Sequence, residues 1–143
     1  MSRTYELLEA VQESLAQIRR SAGYHTNAGR TVTLEPGQVR DDASEFLAVF
    51  IETIAPSEDS AARALRLRTC TVAITAKVPA EIENAERRLH EIIEDVDRAM
   101  TDQQSRYPDY VDFPRFAGAV RIAPADGLKW IGAVIRYTSN IRR

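Results

Sequence analysis

Cysteine is almost missing from this chain. One cysteine among 143 residues excludes an internal disulfide framework and a zinc site built on clustered thiolates. Two histidines leave little for a His-rich metal centre. Lysine is scarce too: two of the 19 basic residues, the other 17 being arginine. No sign of charge dominates, because 19 basic side chains face 21 acidic ones and the net charge is −2. A protein that grips nucleic acid usually carries a basic excess. No apolar run approaches the roughly 18 residues of a membrane span, and the opening MSRTYELLEA has no apolar signal core. These shortages predict a soluble chain, kept in a reducing compartment or assembled into something larger.

What is present is ordinary for one globular domain: 44% hydrophobic and 28% charged residues, enough to bury a core without cross-links. Tyr5, Leu8, Val11, Leu15 and Ile18 recur at helical spacing and predict a first amphipathic helix. Ser2 or Thr4 is placed to cap it and Gly23 to end it. A turn through 23–29 leads to a short strand at 31–34. Residues 46–54 are apolar at both parities, which predicts a central strand covered on two sides. A polar loop follows at 56–64. Residues 67–78 alternate, with Cys70, Val72, Ile74, Ala76 and Val78 on one face.

Pro79 is read as opening a second helix, whose stripe runs through Ile82, Ala85, Leu89, Ile92, Val96 and Ala99. A long connection, 101–116, carries Tyr107, Tyr110, Phe113 and Phe116. Connections of that length are usually functional or disordered, and the aromatics argue against disorder. A hairpin at 119–123 and 128–138 turns at Pro124-Ala125-Asp126-Gly127, leaving a short basic tail at 139–143. The prediction is one domain, 1–143, of the α+β class. It has a single sheet of about four to five strands flanked by two main helices, in the order α-β-β-β-α-β-β.

No chemistry-bearing constellation emerges. His25 sits in a turn with no nucleophile or acid at a telling spacing. His90 and Glu94 stand at i, i+4, but a zincin needs a second histidine on that helix face. An ion network with Arg87 and Glu91 is the simpler reading. Cys70 falls on an apolar strand face, as a buried small hydrophobe does. Gly23, Gly29 and Gly37 make no phosphate loop. The acidic pairs Asp41-Asp42 and Glu58-Asp59 lack the ligand ladder of an EF-hand. The excess of arginine over lysine fits ion pairs at buried or interface surfaces, or a GC-rich coding genome. No catalytic residue, cofactor or metal is expected, which favours a structural subunit or a binding module over a small enzyme.

Several strings carry a resemblance. An amphipathic helix runs into IRRSAGYHTNAGRTV, where Gly23-Tyr24-x-Thr26-x-x-Gly29 leads to a strand. The apolar FLAVFIE follows, then RTCTVAITAKVPA leading directly into EIENAERRLHEIIEDVDRAM. GAVRIAPADGLKWIGAVIRYTSNIRR closes the chain. This layout, over nearly the whole length, resembles the tail terminator (tail completion) proteins of long-tailed bacteriophages.

The resemblance implies a non-catalytic virion protein at the head-proximal end of the tail, present in the host cytoplasm during assembly. It implies a homo-oligomeric ring, six subunits in the family, that terminates tube polymerisation and joins the head–tail connector protein. DNA passes through the lumen without specific binding, and a near-neutral balance suits such a wall, since each phosphate contact adds affinity. Tyr107, Tyr110, Phe113 and Phe116, with Arg68, Arg121 and Arg136, become the candidates for contact with a neighbouring subunit or the tail tube protein. The alternative for the aromatics is that they fold back on their own domain. Asp41, Asp42, Glu58 and Asp59 would meet those arginines or line the channel. Two departures stand out: Ala43-Ser44-Glu45 where the family has a proline, and Leu67 where it has an aromatic. They keep another neck or minor tail subunit open as an alternative, beside a small cytosolic adaptor.

Overall fold

The computed structural model describes residues 2–36, 45–57, 67–102, 106–122 and 129–142. Helix α1 spans Arg3–Leu15, strand β1 Val32–Thr33, β2 Phe46–Pro56 and β3 Leu67–Pro79. Helix α2 spans Ala85–Asp102, β4 Arg115–Ile122 and β5 Trp130–Arg142. The five strands form one sheet in the order β1-β2-β3-β5-β4. β1 runs parallel to β2, and every other pairing is antiparallel. This is an α+β domain with the expected element order.

The strands place apolar side chains at every second position, and those positions share one face. Leu47 and Val49 of β2, Val72, Ile74 and Ala76 of β3, and Ile131, Ala133 and Ile135 of β5 are all buried there. Against this face pack Leu7, Val11 and Leu15 of α1 and Leu89, Ile92 and Val96 of α2, all fully buried. The Tyr137 hydroxyl reaches from β5 to donate to Asp97 of α2 at 3.0 Å.

The other face has no helix on it among the described residues. Phe46 and Phe50 of β2, Thr69, Thr71 and Thr75 of β3, and Trp130 and Arg136 of β5 belong to it by alternation. Lys77 lies there between two rings, 4.1 Å from the centre of Trp130 and 5.6 Å from that of Phe46. Among the described residues β2 therefore has helices on one side, not two; Ala48 on the other side is buried, and residues 52–56 are exposed. Its apolar residues at both parities reflect aromatic and small side chains on the open face.

Several boundaries differ from the sequence expectation. α1 ends at Leu15; Gly23, at φ 90°, instead ends the 3-10 turn Arg20–Ala22. Tyr5 is 43% exposed, and Leu7 takes its place in the buried stripe. Pro79 does not open α2 but closes β3, opposite Trp130. Asn84, at φ 60°, precedes the helix, and its carbonyl accepts from the Arg88 N–H at 2.9 Å. Ile82 thus lies outside the helix and is 43% exposed. The basic tail is strand: Arg68 pairs with Ile141 and Leu67 with Arg142. Pro56, expected to open the polar loop at 56–64, closes β2; the loop from 58 on, the turn at 124–127, Gly37, and the acidic pairs Asp41-Asp42 and Glu58-Asp59 lie outside the described residues.

Gly29 shows why the 23–31 segment reads as it does. A Cβ there would meet the carbonyl oxygens of Leu15, Ile18 and Ala16 at 2.5, 2.7 and 2.9 Å. Only glycine lets this turn press against the end of α1.

Candidate assembly surface

The candidate arginines are held by local partners and are not gathered on one surface. Arg121 of β4 forks onto Glu86 of α2, with Nε and Nη2 each 2.6 Å from a carboxylate oxygen. Arg136 of β5 forks onto Glu52, in the bulge of β2, at 2.8 and 3.1 Å. Arg68, at the start of β3, donates to the Leu67 carbonyl at 3.0 Å. Arg121 and Arg68 stand at opposite ends of the sheet, while Arg136 belongs to the helix-free face. The forks are bidentate and charge-assisted. Hydrogen bonds from Arg136 and Arg121 hold the Glu52 and Glu86 carboxyls below their ordinary range. Both pairs are solvent-accessible, so screening keeps their contribution small.

The four aromatics divide. Tyr107 and Phe113 meet edge to face at 5.5 Å. The Tyr107 hydroxyl shares a 3.3 Å hydrogen bond with Ser14 of α1 and donates to the Met100 sulfur of α2. Burial pushes its phenol pKa up. Tyr110 lies under the Arg3 guanidinium, 4.5 Å from the ring centre. These three bind the 106–114 segment to its own helices. Phe116 is different: it touches Tyr137 at 5.8 Å and remains 57% exposed on β4.

The groups with chemical potential have structural partners. Asp95 of α2 is buried and accepts from the His25 N–H at 3.0 Å, the Thr26 N–H at 2.8 Å and the Thr26 hydroxyl at 2.7 Å. It ties the turn to the helix. His25 Nε2 lies 3.3 Å from Glu94, and His90 Nε2 lies 3.5 Å from Glu86. Cys70 is fully buried, and burial pushes its thiol pKa up, which disfavours the reactive thiolate. Among the described residues, no three His, Cys, Asp or Glu are grouped to hold a metal, and no helix is long and apolar enough to cross a membrane.

Sequence reasoning missed a groove. Tyr5 and Leu8 of α1 and Ile51 and Ile54 of β2 line a cleft of about 610 Å³, with Ser2, Thr4, Glu52 and Thr53 at its margin. It borders an open sheet edge. β1 pairs only with Leu47 and Ala48, so beyond them β2 has no strand on that side among the described residues. β4 ends the sheet on the other side. No periodicity announces this groove, because its walls come from segments more than forty positions apart.

Compared with protein-family models, the chain matches none, and no curated protein matches it.

Proposed function

We propose that this chain is a structural subunit of a long-tailed bacteriophage, forming a closed ring on the head-proximal end of the tail tube. The ring stops tube growth and offers the joint to the head connector; DNA passes through its lumen without specific binding. The observation that carries the ring is a sheet with two unlike edges left open among the described residues: β4 on one side, residues 50–56 of β2 on the other. A ring of identical chains repeats one heterologous interface, so each subunit needs two different patches that fit each other. The layout of elements and the strings around Gly23-Tyr24 and the terminal hairpin support the tail assignment.

The test is genetic. Removing the gene from the phage is expected to leave overlong tails, or tails that join no heads. Normal infectious virions with tails of normal length would overturn the reading.

A further inference from the structure

Among the described residues five large apolar side chains are exposed, and four of them lie at the two open edges. Phe116 is on the helix side of β4, with Val120 on its other face beyond the bulge; Tyr5 and Ile54 line the groove beside β2. Single exposed apolar residues are ordinary, whereas clustered ones mark contact sites.

The register brings the two edges into correspondence. Phe116 pairs with Tyr137, Tyr137 with Val72, and Val72 with Ile51. Phe116 and Ile51 therefore occupy one row across the sheet, at its opposite edges. Val120 and Arg121 fall in the rows of Ala48 and Leu47, where β1 already pairs, so the Arg115–Phe116 end of β4 is the part that faces open edge. Both are on the helix side: Phe116 touches Tyr137, and Ile51 packs against the core. Strand direction agrees as well. β2, β3, β5 and β4 alternate in direction. A copy generated by rotation about an axis along the strands keeps those directions, so its β2 arrives antiparallel to this β4. Charge is complementary: β4 carries Arg115 and no acid, its Arg121 being already paired with Glu86, while α1, beside the groove, carries Glu6, Glu9 and Glu13 against Arg3.

We propose that the Arg115–Phe116 end of β4 of one copy adds to the open edge of β2 in a second copy, with Phe116 seated in the groove of Tyr5, Leu8, Ile51 and Ile54. The occupant is another copy of this chain. Backbone pairing supplies the affinity, and the aromatic side chain sets the register. This deepens the ring reading and rests on it.

Cys70 is buried, so introduced thiols can be linked selectively. Full-length Phe116→Cys and Ile54→Cys proteins, mixed equally at the highest soluble concentration, are treated with a short bismaleimide. The mixed linked dimer is expected to exceed either same-variant dimer about tenfold. A dominant Phe116→Cys pair, meaning β4 against β4, overturns the proposal, as does a mixed dimer no more abundant than background. In a second arm Phe116→Asp, verified as folded by circular dichroism, should weaken self-association at least about tenfold in sedimentation, as loss of a central anchor does; unchanged association overturns the proposal. The gene-deletion phenotype is read separately. Overlong tails with no mixed dimer remove this interface alone, and a mixed dimer with normal tails removes the terminator role alone.

Discussion

Ile74 and Phe116 sit on the same side of one sheet, two strands apart, with opposite surroundings. Ile74, on β3, is fully buried; Phe116, on β4, is 57% exposed. The difference is the reach of the helical layer. α1 and α2 pack over β2, β3 and β5, and β4 projects past them. An apolar side chain under the helices stabilises the fold, whereas one beyond them is available to another chain.

The comparison is most easily broken at the covered end. Leu89→Ala, a fully buried truncation on α2, is expected to cost about 2–5 kcal/mol, read as a lower denaturation midpoint. Asp95→Ala comes next. It strips three donors of their acceptor beneath the 23–31 turn, and each unsatisfied buried group costs about 1–3 kcal/mol; a total of about 2–4 kcal/mol is expected once the turn relaxes. Asp95→Asn keeps an acceptor and should lose less in the same melt. At the edge, Phe116→Ala should change the stability of the dilute protein by less than about 1 kcal/mol, measured by denaturant titration.

The smallest effect concerns pH. Glu86 has its carboxyl pKa held below its ordinary 4.5, first by the hydrogen bond from Arg121. Its contribution is complete above that ordinary value and disappears as pH falls through the depressed one. Glu86→Gln should therefore lower stability slightly near pH 7 and flatten the acid limb, so that the difference from the parent vanishes below the depressed pKa. Added salt should shrink the difference further.

The alternation of 67–78 and the helical stripe around Leu89 are legible in the sequence because each pattern is local. The α2 start is not: Pro79 is compatible with either a strand end or a first helical turn, and its pairing with Trp130 decides. The tail 139–142 reads as a loose end because its partners, β3 and the 110–112 segment, are distant in sequence. Of the candidate surface, Phe116 and Arg121 share an edge strand, but the Glu86 that engages Arg121 is 35 positions away. The Tyr5–Ile54 groove depends on α1 crossing β2, which neither segment encodes alone.

Hydrogen exchange on the full-length protein, from dilute to concentrated solution, tests most directly whether the sheet edges join copies. Backbone amides at the start of β4 and of residues 50–56 should slow together as copies associate, while those of β3, already paired on both sides, should stay as they were. Protection that grows elsewhere with both edges unchanged would contradict the account.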